Sequence, residues 1–277
     1  MDKLIIKGER IQQIADIYLG NEDDFRYNPL IYQQKEKHCS LDLISEIFDN
    51  PSIVFCYSHK IFQFSQKIHF FKNDFILLTH NSDQNIKECN EINEILKYPK
   101  LIKWYTQNLC MEHPKLHYLP IGFANDQWPH GNLDIFKYEE VMKYLNNKNE
   151  KVYFNFNIHT NYHKRIECYD YFKYKIQFLN PIPPFENLLR LKNYEFCICP
   201  EGNGMDTHRF WECIYLKVVP IVIDSDFIQI LKKNNLPMLI LKKWEDYDES
   251  KLTYNDYSFK NLEIYLSDFE RKIRDSF

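Results

Sequence analysis

The fold of this chain is decided by residues 194–224, YEFCICPEGNGMDTHRFWECIYLKVVPIVID. The stretch opens and closes on short apolar runs, YEFCICP and VVPIVID, whose β-branched and aromatic residues are typical of buried strands. Between them, a loop with two glycines leads into RFWECIYL, whose apolar residues have helical spacing. A strand, a helix and a second strand in this order predict a βαβ unit with a parallel sheet.

The same alternation extends over the rest of the chain. Further helices are predicted at 60–68 and 85–98, a helix with a linker at 137–151, and a terminal helix at 261–277. Strands are predicted at residues 52–58, 74–80, 101–106, 116–122, 151–158 and 237–241. Strands that alternate with helices favour parallel sheets covered on both faces, so we expect an α/β protein.

Two such series of elements predict two domains. The first is residues 1–148 and the second is residues 149–277, with a cleft between them. The C-terminal helix is long enough to pack back on the first domain. No internal repeat marks either half.

Composition predicts a soluble globular protein in the cytosol. Hydrophobic residues make up 44% of the chain, charged residues 27%, and the formal net charge is -4. Nucleic-acid-binding domains usually carry an excess of basic residues. This chain has no such excess, so nucleic-acid binding is not predicted. Neither a signal peptide nor a run of about 18 apolar residues is visible, so no membrane span is predicted. The eight cysteines contain no CxxC pair, and we interpret them as buried free thiols.

The loop of the βαβ unit predicts an anion site. Loops at the carboxyl ends of parallel strands are where α/β proteins bind ligands. Gly202 and Gly204 permit a close backbone approach, while the following helix N-terminus and Arg209 suit phosphate. Glu212 lies on the same helix face as Arg209 and could accept hydrogen bonds from a ribose. The alternative is a simple turn before a helix that Asp206 caps.

A longer segment, PEGNGMDTHRFWECIYLKVVPIV at residues 200–222, resembles the donor-binding motif of exostosin-like glycosyltransferases, including short forms from large viruses and bacteria. That motif runs from Pro and a charged residue through Gly-Asn-Gly, Asp, His-Arg and Trp-Glu to a Pro-Ile-Val strand. Residues 77–83, 113–132 and 154–165 resemble the family as well. Lys217 departs from the pattern, because the family usually has glycine after the helix.

The resemblance implies a GT-B fold, in which two Rossmann-like domains face a cleft and the C-terminal one holds the sugar nucleotide. It implies inverting transfer of a sugar, a pentose or hexose from a UDP-sugar, to a glycan acceptor without an essential metal or other cofactor. The donor-binding residues it points to are Arg165, Glu201, Asn203, Gly204, Asp206, His208, Arg209 and Glu212. Lys164 could contact the diphosphate in place of Arg165. Alternatively, both are solvated basic residues at the start of a helix.

The acceptor side is expected in the first domain. Inverting transfer needs a base that takes the proton of the acceptor hydroxyl. Asp83 follows the end of a predicted strand and is the preferred base, with His80 as the alternative and a simple turn as the structural reading. Trp128 and His130 lie in a polar loop, where an aromatic ring could stack on a sugar or merely order the loop.

Three other interpretations stay open. The triplet Asp224-Ser225-Asp226 matches the DxD pattern with which GT-A glycosyltransferases bind Mn²⁺ or Mg²⁺. The donor could be a GDP-sugar, as in fucosyl transfer. The chain could also be a binding module that keeps the fold without turnover.

Overall fold

Two parallel β-sheets organise the chain in the computed structural model, which describes residues 4–44, 52–138 and 142–277. The first sheet has six strands in the order β2-β1-β3-β4-β5-β6, and the second has four in the order β10-β9-β8-β7. All strand pairs within both sheets are parallel. The predicted α/β class is therefore confirmed, and the two sheets are consistent with two Rossmann-like domains.

The chain divides into two units. The first consists of Leu4–Trp128 and Glu263–Phe277, and the second of Pro129–Leu262. The domain boundary predicted from the sequence lies at residue 148, whereas the second unit of the structure begins at Pro129. The C-terminal helix is part of the first unit.

The first unit carries the six-stranded sheet, with helices before, between and after its strands. The strands are β1 (Ile17–Leu19), β2 (His38–Cys39), β3 (Ser52–Tyr57), β4 (Phe75–His80), β5 (Leu101–Thr106) and β6 (Leu116–Tyr118). The helices are α1 (Gly8–Ile14), α2 (Glu22–Phe25), α3 (Pro29–Tyr32), α4 (Ile61–Lys67), α5 (Asn90–Lys97) and the C-terminal α10 (Leu266–Arg274). Strands β3 and β4 are buried along their whole length, which explains why their sequences are almost continuously apolar.

Helix α5 begins later than the sequence predicts. Its predicted start lies at residue 85, but Ile86 forms a parallel bridge to Leu109 instead. The Ile86 N–H donates to the Asn108 carbonyl at 2.9 Å, and the Cys110 N–H donates to the Ile86 carbonyl at 2.8 Å. These backbone bonds hold the segment extended, so the helix can begin only at Asn90.

The C-terminal helix also begins later than predicted, after a capping box. The Tyr265 N–H donates to the Asp268 carboxylate at 3.0 Å, which satisfies a backbone donor at the helix start. The helix packs on the six-stranded sheet through Phe269, whose ring meets Tyr118 edge-on. The Tyr105 hydroxyl donates to the Lys272 carbonyl at 3.0 Å.

The second unit carries the four-stranded sheet. Its strands are β7 (Glu150–Tyr153), β8 (Tyr194–Ile198), β9 (Val219–Ile223) and β10 (Leu239–Leu241). Its helices are α6 (Tyr162–Phe172), α7 (Pro184–Leu191), α8 (His208–Tyr215) and α9 (Asp226–Lys233). The helix predicted within residues 137–151 falls partly on 139–141, which lie outside the described residues. No helix in the described part of the chain is both long and apolar enough to cross a lipid bilayer.

Strand β7 ends at Tyr153, five residues before the predicted end. The next residues remain extended, and Phe154 and Phe156 still point into the core with Val152. The Asn155 side chain, however, donates to the Leu179 carbonyl at 2.7 Å, and its own carbonyl accepts from Arg209 at 2.6 Å. The polar groups after Tyr153 thus bond to other segments instead of a neighbouring strand.

Lys217, the departure from the family motif, ends helix α8 in a left-handed conformation with a φ of 54°. The Val218 N–H donates to the Cys213 carbonyl at 2.8 Å, and the Lys217 N–H donates to the Ile214 carbonyl at 3.2 Å. These two bonds form a Schellman motif, in which the left-handed position is usually glycine. The lysine therefore adopts a backbone conformation that favours glycine, at a steric cost.

Replacing Lys217 by glycine is expected to stabilise the fold by about 1 kcal/mol. The gain is the left-handed penalty of roughly 1–2 kcal/mol, reduced by the extra freedom of glycine in the unfolded chain. Chemical denaturation of Lys217→Gly beside Lys217→Ala measures it, because alanine removes the same side chain but keeps the penalty. Equal stability of the two variants would contradict the assignment of strain to this residue.

Candidate functional site

Two arginine side chains from different helices converge at the carboxyl end of strand β7. Arg165 comes from the first half of helix α6, and Arg209 from the first turn of helix α8. Each guanidinium donates to a carbonyl of the segment after β7: Arg165 to Asn157 at 2.8 Å, and Arg209 to Asn155 at 2.6 Å. We call Arg165 and Arg209 the guanidinium pair.

Arg165 is a buried cation that is held by neutral groups. It is 9% exposed, and its Nε donates to the Glu201 carbonyl at 2.9 Å. Its guanidinium carbon lies 5.6 Å from the centroid of the Phe156 ring. Among the described residues, no carboxylate forms an ion pair with it, and no partner of its Nη2 is found.

Arg209 has a carboxylate partner in Glu212. Its Nε donates to Glu212 Oε2 at 2.9 Å, and its guanidinium carbon lies 5.5 Å from the Tyr153 ring centroid. Glu212 is itself buried, at 8% exposure. Its carboxylate thus orients Arg209, whereas the sequence analysis expected Glu212 to meet a ribose.

The electrostatics of the two arginines differ accordingly. Burial and repulsion from Arg209 lower the pKa of Arg165 to about 10. Burial acts most strongly on Arg209 and lowers its pKa, but the attraction of Glu212 together with that of Cys197, Cys213 and Tyr153 outweighs burial, and the pKa of Arg209 is raised. Glu212 is the one carboxylate paired with these two guanidiniums among the described residues, so one buried positive charge is unbalanced, which is costly without an anion. Such an arrangement suits a ligand that carries phosphate groups.

The glycine loop between β8 and α8 borders Arg165. The Gly202 carbonyl accepts from Asn161 Nδ2 at 2.6 Å, and the Gly202 N–H donates to the Gly204 carbonyl at 3.1 Å. A Cβ at position 202 would lie 3.4 Å from Arg165 Nη2. The backbone of Gly202 is not in the left-handed region, so its conformation does not require glycine. The absence of a side chain instead leaves the outer edge of the Arg165 guanidinium uncovered.

The other predicted donor residues of this loop have separate positions. Asp206 is buried and accepts from the Trp211 indole at 2.6 Å, so it fixes the loop against helix α8. Asn203 is exposed at the tip of the loop. Thr207, and not Asp206, caps helix α8, because its Oγ1 accepts from the Phe210 N–H at 3.4 Å.

His208 begins helix α8 and contacts a residue that was predicted for acceptor binding. Its ring lies 5.8 Å from that of His130, edge to face. His130 belongs to the second unit and lies beside the start of helix α8. Trp128, the other predicted acceptor residue, is in the first unit and is 53% exposed.

A cavity of 420 Å³ lies beside the guanidinium pair in the second unit. It opens over the carboxyl ends of three strands, where Cys199 follows β8, Asp224 follows β9 and Lys242 follows β10. Glu201 also lines it, and pairs with Lys164 at 3.2 Å. Neither Arg165 nor Arg209 lines the cavity, but the Glu201 carbonyl that Arg165 contacts connects the two features. The volume is within the range of small-molecule sites, roughly 300–1,000 Å³.

The Asp224-Ser225-Asp226 triplet marks the start of helix α9. Ser225 is the N-cap and accepts from the Ile228 N–H at 3.3 Å. Asp226 is the first helical residue, a position that favours an acidic side chain. Asp224 accepts from Gln229 at 2.6 Å and lines the cavity. Helix capping thus accounts for the triplet without a metal ion.

The two candidate bases after strand β4 differ sharply in environment. His80 is 1% exposed, its Nδ1 accepts from the Asn81 N–H at 2.8 Å, and its Nε2 donates to the Pro120 carbonyl at 3.0 Å. Asp83 is exposed in a shallow depression with Ser82 and Gln84. These positions favour a structural role for His80 and leave Asp83 accessible.

Sequence reasoning missed the carbonyl anchors of the guanidinium pair. Asn155 and Asn157 alternate with Phe154 and Phe156 within the strand predicted at 151–158, and no role was predicted for the two asparagines. Extended residues two apart present their carbonyls in the same direction. The polar positions of this alternation were therefore the available signal that two carbonyls face the same site.

Comparison with models of protein families and with curated proteins finds no match to this chain.

Proposed function

We propose that the chain is an inverting glycosyltransferase that uses a nucleotide-sugar donor, as the resemblance to exostosin-like enzymes implies. The observation that carries the proposal is the guanidinium pair, with the buried and unbalanced charge of Arg165. A sugar nucleotide supplies the diphosphate anion that such a pair lacks, and planar guanidiniums bind phosphate oxygens through two parallel hydrogen bonds.

The predicted donor residues have different tasks in this proposal. Arg165 binds the diphosphate through its Nη2, which has no partner in the described part of the chain. Arg209, whose guanidinium also lies beside the Cys197 thiol, supplies the second positive charge. Glu212 and Asp206 position Arg209 and the loop. The nucleoside occupies the neighbouring cavity, whose wall includes Glu201 and Asp224.

The proposed reaction is a single displacement. The oxygen of an acceptor hydroxyl forms a bond to the anomeric carbon while the bond from that carbon to the diphosphate oxygen breaks. The electron pair of the broken bond stays on the diphosphate, where the guanidinium pair stabilises the new charge. Asp83 receives the hydroxyl proton, as general base.

A UDP-sugar is expected to raise the melting temperature of the protein. A ligand at about 100 times its dissociation constant adds roughly 2.7 kcal/mol to the free energy of unfolding. A thermal-shift series with UDP-sugars, GDP-sugars and the free nucleotides measures the effect, with adenosine as a control that lacks phosphate. Stabilisation by GDP-sugars alone would identify the donor as a GDP-sugar instead of a UDP-sugar. An unchanged melting temperature with every nucleotide would contradict the proposal.

Release of free nucleotide from the stabilising donor then distinguishes an enzyme from a binding module. Slow hydrolysis of the donor, with water in place of the acceptor, is the expected result. Binding without any release over many hours, with a panel of glycans present, would favour the binding module.

A further inference from the structure

Three cysteine thiols converge between strand β8 and helix α8. Cys197 lies in β8 and Cys199 directly follows it, so their side chains share one face of the strand. Cys213 lies in helix α8, which covers that face. The three sulfur atoms are all within 4.8 Å of one another, and all three residues are at most 5% exposed.

This spacing is compatible with three thiolates around one metal ion. A single buried cysteine is a small apolar residue and needs no explanation. Thiolates bound to zinc at about 2.3 Å in a tetrahedral arrangement lie roughly 3.8 Å apart. The sulfur atoms of Cys199 and Cys213 are 3.8 Å apart.

The surroundings of the thiols supply access and charge. Cys199 lines the 420 Å³ cavity, which offers a route for an ion and room for a water molecule as fourth ligand. The Arg209 guanidinium lies beside the Cys197 thiol. A zinc ion with three thiolates has a net charge of −1, and a neighbouring cation offsets it.

We propose that Cys197, Cys199 and Cys213 form a binding site for a thiophilic divalent metal ion, zinc, with a fourth position open to the cavity. Binding releases three protons: Zn²⁺ and three thiols give a zinc trithiolate and three H⁺. Soft thiolate ligands select zinc or Cu(I) over hard cations such as Mg²⁺. The site shares Arg209 with the proposed diphosphate site, but metal binding is measured without a nucleotide sugar, so the two proposals can fail independently.

Titration of the reduced wild-type protein with Co²⁺ and then Zn²⁺ tests the site. We expect about one equivalent of Co²⁺ to bind, with a thiolate-to-cobalt charge-transfer band in the near ultraviolet, and Zn²⁺ to abolish the band. A pH indicator should report about three protons for each zinc ion. These measurements use the native chain and need no variant.

The variants Cys199→Ala and Cys213→Ala should lose the charge-transfer band. Cys168→Ala, which removes another buried thiol of the same unit, should keep it. Far-ultraviolet circular dichroism separates loss of the site from loss of folding, and the wild-type titration decides the question if a variant fails to fold.

Several results would overturn the proposal. One is a wild-type protein that shows no thiolate-to-cobalt band; another is a band that survives in both Cys199→Ala and Cys213→Ala. Binding of Cu(I) with exclusion of Zn²⁺ would overturn the zinc assignment. A mass two hydrogens lower than that of the reduced chain, with a bond between Cys199 and Cys213, would identify a disulfide instead.

Discussion

Arg165→Ala is expected to weaken binding of the nucleotide-sugar donor by about 30-fold to several thousand-fold. This range corresponds to the roughly 2–5 kcal/mol lost when one partner of a buried charge pair is removed. In the free protein Arg165 contacts only carbonyls and a ring among the described residues. Its removal relieves the repulsion from Arg209 but leaves the Glu201 and Asn157 carbonyls without this donor, so the melting temperature without ligand should fall modestly. Calorimetric titration with the donor, together with thermal unfolding, measures both effects.

Two comparisons sharpen this test. Arg165→Lys keeps the charge but loses the planar fork, so its affinity should fall between those of the wild type and the alanine variant. Lys173→Ala removes a cation at the end of the same helix, where Lys173 pairs with Asp170, and should bind donor normally. Arg209 is a poorer target, because its loss would leave Glu212 buried without a partner. If Arg165→Ala bound the donor with wild-type affinity, the proposal that the diphosphate binds at the guanidinium pair would be wrong.

Asp83→Asn is expected to reduce turnover by about 10²–10⁴-fold, the usual cost of removing a general base. The amide keeps the shape of the side chain but cannot accept the proton. Asp83 is exposed, and its loop is held by contacts that do not involve its carboxylate, such as the hydrogen bond from the Asn108 side-chain Nδ2 to the Ser82 carbonyl. The substitution should therefore leave both donor affinity and folding unchanged. Steady-state hydrolysis of the stabilising nucleotide sugar gives kcat and KM for the comparison.

Asp74→Asn is the matched control for this variant. Asp74 is an exposed carboxylate that precedes strand β4, at the opposite end from Asp83, and its loss should leave kcat unchanged. His80→Ala is expected to lower the melting temperature, because it breaks the bonds to Asn81 and Pro120. Full turnover in Asp83→Asn, with activity lost in a folded His80→Ala protein, would transfer the role of base to His80.

The strands were the most predictable part of the structure. β3, β4 and β5 lie within one or two residues of their predicted bounds, since a strand buried on both faces is an apolar run that is visible locally. β1 and β2, which are 3 and 2 residues long, were missed because neither lies in a longer apolar run. β6 and β10 are also 3 residues long, but they lie within the longer runs at 116–122 and 237–241. Pairing in the sheet is what makes β1 and β2 strands.

The candidate site was predicted in part. The glycine loop and Arg209 are contiguous in the sequence, so a local pattern could identify them. The same local pattern did not predict the tasks of Asp206 and Glu212. Both carboxylates were expected to contact the ligand. In the folded unit one accepts from Trp211 and the other from Arg209, and these short-range bonds depend on which side of helix α8 is buried.

The sequence by itself determined the α/β class, the parallel pairing and the position of the loop that follows β8. These features depend on local periodicity and on glycine placement, which a linear chain displays directly. Only the tertiary structure brought Arg165 to Arg209, and Cys213 to Cys197 and Cys199. Such contacts join separate helices and strands, and they arise because each element must bury one apolar face against its neighbours. That packing places two positive charges, and three thiols, where no local pattern predicts them.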